Sequence, residues 1–180
     1  DEQLAAATRL ARAALKSGDE IGLQTFSDTP KIWLPASRHA GQYRRLVEAL
    51  FDHHADDKPP DYAAAIHDVW CRERRRALII LMTILEPHDS EHLRPLLRLL
   101  QKRHHVMLIN IRPPWLEEDN DGENRDAALE NAARDVYANT FATNEARLKQ
   151  EKLIFVTARP ETLRPQLINA YLAYKKHLRH

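Results

Sequence analysis

ALIILMTILEP occupies residues 77–87. Every residue from Ala77 to Met82 is apolar; Thr83 interrupts the run and Ile84 follows. An amphipathic helix would space its apolar residues three and four apart, and a half-exposed strand would alternate them. An unbroken run instead fits a strand covered on both faces, as in parallel sheets. HVMLINI at 105–111, ahead of Pro113 and Pro114, and KLIFVTA at 152–158 have the same form. Helical spacing fills the intervals. One helix, capped by Asp89 or Ser90, runs through Leu93, Leu96, Leu97 and Leu100. A second spans 125–149 with Leu129, Ala132, Ala133, Val136 and Tyr137 on one face, and a last one spans 161–177. Strand and helix alternating in this way predict a mostly parallel sheet covered by helices.

The first half of the chain reads differently. Residues 3–16 carry Leu4, Ala7, Leu10, Ala11, Ala14 and Leu15 at helical spacing, and Gly18 suits a left-handed cap. Residues 20–27 and 31–35 read as two strands joined at Asp28-Thr29-Pro30, an antiparallel hairpin with Pro35 tolerated at an edge. A helix over 41–54 places Tyr43, Leu46, Val47, Leu50 and Phe51 on one face, and another over 60–75 has Pro60 near its first turn. The polar stretch 119–124 reads as a loop, and no repeat or domain boundary is visible. The chain therefore reads as one domain over 1–180, and because it opens on Asp1 it is taken as a fragment of a longer protein.

Composition removes several function classes. With 27 Lys and Arg against 26 Asp and Glu, the net charge of +1 gives no electrostatic case for nucleic acid. The single cysteine, Cys71, excludes an internal disulfide or a cysteine-based zinc cluster. No apolar run approaches the ~20 residues that span a bilayer. The four glycines, Gly18, Gly22, Gly41 and Gly122, are too scattered to build a phosphate-cradling loop.

The segment SGDEIGLQTFSDTPKIWLPASRHAGQYRRLVEAL resembles the von Willebrand factor A-like proteins of the domain-of-unknown-function family fifty-eight. There, a helix ending in Gly-Asp precedes a strand of the type I-G-L-x-x-F and a short hairpin strand ending in Pro. PPDYAAAIHDVW looks like the helix after that family's second loop, and RRRALIILMTILE like its arginine-led strand. LKQEKLIFVTARPETLRPQLINAYLAYKK is similar to its closing strand and helix. The resemblance implies a three-layer, Rossmann-like α/β sandwich: a mostly parallel sheet with one antiparallel edge hairpin. Its central first strand is missing from this chain, so that slot is filled from elsewhere or closed by direct pairing of its neighbours.

In such domains three loops hold a divalent cation through Asp-x-Ser-x-Ser, a threonine and Thr-Asp. Here D-x-S-x-S is absent, with Asp89-Ser90 the nearest approach, and no threonine falls near KPPDYA. Thr83 is kept, but Ile84 stands where the aspartate would be. A hard cation needs oxygen ligands with at least one carboxylate, so the resemblance implies a scaffold whose metal site is degenerate.

Other constellations have simpler explanations. His53, His54, Asp56 and Asp57 could suit zinc or manganese, yet adjacent histidines at a helix end usually diverge. His104 and His105 would point to opposite faces as solvated edge residues. His88, Asp89, Ser90 and His92 lack a nucleophile-elbow signature. Arg72, Arg74, Arg75 and Arg76 read as a solvated helix terminus, and Trp33 and Trp70 as packing residues. Trp115, after two prolines, is the tryptophan expected at the surface.

The resulting expectation is a non-catalytic protein-interaction module with no cofactor and no bound metal. Its partner surface is the loops at the carboxyl end of the strands, with candidate residues Asp28, Asp61, Thr83, Ile84, Arg112 and Trp115. The resemblance implies a MoxR-type AAA+ ATPase as partner, in a cytoplasmic, chaperone-like assembly of bacterial type. No membrane contact is expected from this segment, although an anchor elsewhere in a longer protein is left open. The competing reading is a metal-dependent hydrolase using His53, His54 and Asp57.

Overall fold

A computed structural model describes residues 2–51, 58–86, 89–116 and 125–178, with side chains in the last stretch from Glu130. The chain is α/β and divides into two compact units, residues 1–77 with 161–180, and residues 78–160.

The first unit contains α1 (Glu2–Lys16), β1 (Ile21–Phe26), β2 (Pro30–Ser37), α2 (Gln42–Phe51), α3 (Tyr62–Arg72) and α6 (Pro160–His177). Gly18 ends α1 as expected. Its φ is +79°, and the Asp19 amide donates back to the Ala14 carbonyl, which also accepts from the Ser17 amide at the helix end. β1 and β2 pair antiparallel as the alternation implied. The register shifts between Ile21 and Leu23, and there a Cβ on Gly22 would lie 2.7 Å from the Leu34 carbonyl oxygen. Only glycine lets the two backbones approach so closely. The buried Gln42 secures the same irregularity, its Nε2 donating to the carbonyls of Ile21 (2.7 Å) and Pro35 (2.9 Å). Behind the hairpin, Ala11, Leu34 and Leu46 form a core cluster with Ile21 and Leu23 packed against it.

Two helix readings are corrected here. The buried face of α2 is Gln42, Leu46 and Leu50, whereas Tyr43 is exposed and Phe51 is 78% exposed. A polar residue serving backbone carbonyls displaced the aromatic ones from the inner face. Pro60 lies outside α3; Asp61 is the N-cap, accepting from the Ala64 amide, and the helix ends at Arg72 rather than 75. α6 is tied to the start of the chain by Arg164, which donates to both carboxylate oxygens of Glu2 at 2.7 and 2.8 Å. It is tied again by Tyr171 and Lys175, both of which donate to Asp19.

The second unit contains β3 (Leu78–Thr83), α4 (Asp89–Gln101), β4 (His105–Ile111), a 3-10 turn (Pro114–Leu116), α5 (Arg125–Lys149) and β5 (Ile154–Ala158). The three strands form a parallel sheet in the order β3-β4-β5, as the unbroken apolar runs predicted. Val106 to Ile109 in the central strand are at most 3% exposed. On α5 the expected face is corrected in part: Tyr137 is half-buried against Phe141, but Ala132 and Ala133 are exposed and Val136 is 68% exposed. Phe141, Asn144, Glu145 and Leu148 turn inward instead; Leu129 lies outside the described side chains. His104 is also corrected from a solvated edge residue to a buried one, closing α4 through its amide's bond to the Leu100 carbonyl.

The hairpin and the parallel strands are separate sheets rather than one. β1 and β3 lie in different sheets, and among the described strands β3 pairs with β4. Leu78 to Met82 are accordingly only half-buried, unlike their partners in β4.

Candidate functional site at the carboxyl end of the parallel sheet

Thr83, Asn110 and Thr157 lie in one row across the sheet, because Thr83 pairs with Asn110 and Asn110 with Thr157. Three polar residues thus end three apolar strands at one level. The Asn110 Nδ2 donates to Glu145 Oε1 at 3.0 Å, and the Thr157 Oγ1 donates to the same oxygen at 2.6 Å. The Asn110 Oδ1 accepts from the Leu85 amide at 3.2 Å, so this side chain orders the loop after β3 as well. Glu145 is 5% exposed and Asn110 is fully buried. A carboxylate so placed needs both hydrogen bonds and opposite charge. Arg112 Nη2 at 3.8 Å and Lys149 Nζ at 3.5 Å from Glu145 Oε2 supply the charge. Nearby, the buried Ser90 hydroxyl donates to Asn144 Oδ1 at 2.8 Å, joining α4 to α5. These groups bond to one another, and the arrangement clamps α5 to the sheet.

Above the clamp the surface is apolar and aromatic. Ile84 is 39% exposed and Trp115 45% exposed, the latter as the sequence led us to expect. The Trp115 and Tyr137 rings meet edge-to-face with centroids 4.9 Å apart, and Tyr137 stacks in turn on the buried Phe141. The Tyr137 hydroxyl donates to Glu86 Oε2 at 3.1 Å. Partial burial, and then that carboxylate, push the phenol's pKa up to about 12. The Arg112 guanidinium lies 5.6 Å over the Phe141 ring, and its amide donates to the Ala158 carbonyl, extending the sheet's ladder.

Four of the six expected partner-binding residues, Thr83, Ile84, Arg112 and Trp115, therefore belong to one end of the second unit. Asp28 and Asp61 belong to the first unit, where the Asp61 amide donates to the Ser27 carbonyl at 2.7 Å. The Asp28 carboxylate takes Lys31 at 3.0 Å and Lys58 at 2.8 Å, and hydrogen bonds from Lys58, Lys31 and Ser27 hold its pKa well below the usual range. Glu86, Asn110, Tyr137, Phe141, Glu145 and Thr157 were missed. Asn110 carried a legible signal, as a lone amide within an otherwise apolar strand.

Residues 1–151 match the family described as Protein of unknown function DUF58. The chain belongs to the DUF58 family. The match takes in β1 to β4 and α1 to α5 of this DUF58 chain, and β5 and α6 follow it. No curated protein matches the chain.

The hydrolase candidates His53, His54 and Asp57 lie outside the described residues, as do Asp56 and His88. Among the described residues no three His, Cys, Asp or Glu side chains gather as metal ligands, and no helix is long and apolar enough to cross a membrane.

Proposed function

We propose that this DUF58 chain is a non-catalytic protein-interaction module whose partner docks on the carboxyl end of the parallel sheet. In this reading the two units belong to a von Willebrand A-like sandwich, with its central strand supplied from outside these residues. The cation site is degenerate, and the partner is a MoxR-type AAA+ ATPase met in the cytoplasm.

The observation that carries the reading is the exposure of both Ile84 and Trp115 in the segments that follow β3 and β4. Both large apolar side chains are exposed at the sheet edge where open α/β folds present their sites. Ile84 immediately follows Thr83, where an ion would require a carboxylate. The polar groups beneath are joined in the Asn110–Thr157–Glu145 clamp. A rigid base under exposed apolar and aromatic groups suits a protein surface, since aromatic anchors dominate binding energy at such interfaces.

Co-elution with a purified MoxR-type ATPase, with and without EDTA, tests the proposal. A stable complex insensitive to EDTA and lost on Trp115→Ala is expected; a complex that requires magnesium, or none at all, overturns it.

A further inference from the structure

The two units repeatedly place a cation over an aromatic ring with a carboxylate beside it. Arg72 lies 5.6 Å over Trp33 and bonds Asp68 at 2.7 Å. Arg112 lies over Phe141 and Lys149 over Phe155, and both approach Glu145. Lys175 lies over Tyr171 and bonds Asp19 at 2.7 Å.

Trp115, Tyr137 and Glu86 have the ring and the carboxylate of this arrangement at the surface. Trp115 and Glu86 are both exposed, and Tyr137 joins them, its ring T-shaped to the indole and its hydroxyl donating to the carboxylate. Among the described residues no cation of the chain lies over the Trp115 ring. We infer that the Trp115–Tyr137–Glu86 surface binds an arginine or lysine side chain presented on an apolar segment of a protein partner. The inference rests on the interaction-module reading and specifies the chemistry of its partner.

Three arguments support a cationic occupant. Indole is the strongest aromatic partner for a cation, and a carboxylate close by adds the opposite charge. The sequence after Leu116 is acidic, with Glu117, Glu118, Asp119, Asp121 and Glu123 and no Lys or Arg before Arg125. That charge attracts a basic segment during encounter and repels phosphate-bearing partners. Finally, the exposed Ile84 lies two residues before Glu86, so an apolar group accompanies the carboxylate on the same loop.

The test uses the whole chain and two fluorescein-labelled peptides of alternating residues, Arg-Leu-Arg-Leu-Arg and its citrulline-Leu counterpart, which keeps the shape but not the charge. Anisotropy titrations should show the arginine peptide binding at least tenfold more tightly. Trp115→Leu and Glu86→Gln should each weaken it by about two- to fivefold, the range expected for an exposed cation–π contact or a surface charge pair. Trp115→Phe should restore part of the loss, and thermal melts should confirm that each variant is folded. Equal affinity for the two peptides, no binding of the arginine peptide, or Trp115→Leu binding as tightly as the parent would overturn the inference. If the peptides bind equally while Trp115→Ala still abolishes the ATPase complex, this inference falls and the module reading survives.

Discussion

Asn110 of β4 and Glu145 of α5 meet at the buried carboxyl end of the parallel sheet, amide nitrogen to carboxylate oxygen at 3.0 Å. Their bond joins a central strand to the helix that carries Tyr137 and Phe141. The exposed Trp115 rests against the outer of those two rings. The surface that we assign to a partner is therefore held from below by a polar contact rather than by apolar packing alone.

Glu145→Ala removes the acceptor shared by the buried Asn110 amide and the half-buried Thr157 hydroxyl. Roughly 3 kcal/mol of stability should be lost, the range for breaking a buried, hydrogen-bonded charge. Urea denaturation measures this directly. A loss below about 1 kcal/mol would show that the clamp contributes little to holding α5.

Gly22→Ala brings a Cβ within 2.7 Å of the Leu34 carbonyl oxygen and 2.8 Å of the Ala36 amide nitrogen, neither of which can swing aside. The expected cost is about 1–3 kcal/mol, as for other overpacked sites. Thermal melts check it, and an unchanged melting temperature would mean that the hairpin irregularity relaxes without cost.

Glu151 gives the acid limb of stability a specific component. Hydrogen bonds from Arg98 and Arg94 hold its carboxyl below the ordinary value despite burial, with Arg98 at 2.8 Å and Arg94 at 2.9 Å. The folded chain thus binds this proton less readily than the unfolded chain, where a glutamate titrates near pH ~4.3. Its contribution is complete above the unfolded value and disappears as pH falls through the lowered folded value. Glu151→Gln should lower stability at neutral pH and flatten the decline below about pH 5. Glu2, held low first by its hydrogen bond from Arg164, keeps part of that decline in place. Urea midpoints measured from neutral to acid pH read the difference; parallel curves for parent and variant would contradict it.

The parallel sheet was legible because β3, β4 and β5 all carry near-continuous apolar runs, although only the central β4 is buried along nearly its whole length. The hairpin was legible from alternation and the turn at Asp28-Thr29-Pro30. The helix faces were read less well. Apolar spacing selected Tyr43 and Phe51 on α2, and Ala132, Ala133 and Val136 on α5. The inward positions include Gln42, Asn144 and Glu145, buried for their hydrogen bonds to partners distant in sequence. Periodicity cannot anticipate such partners. For the same reason Ile84 and Trp115 were found as surface candidates, from their place after strands, while Tyr137 and Glu86 beside them were not. Their importance comes from ring and hydroxyl contacts between α5 and two separate loops.

The affinity of the purified chain for a MoxR-type ATPase, compared between the parent, Ile84→Lys and Arg44→Ala, tests the central claim most directly. Ile84 is exposed just after β3, two residues before Glu86, whereas Arg44 is exposed on α2 and pairs with Glu48 at 2.7 Å. Both variants should fold as the parent does. Ile84→Lys should weaken binding at least tenfold, about 1.4 kcal/mol, while Arg44→Ala should leave it unchanged. Equal affinities for the parent and Ile84→Lys would contradict that claim.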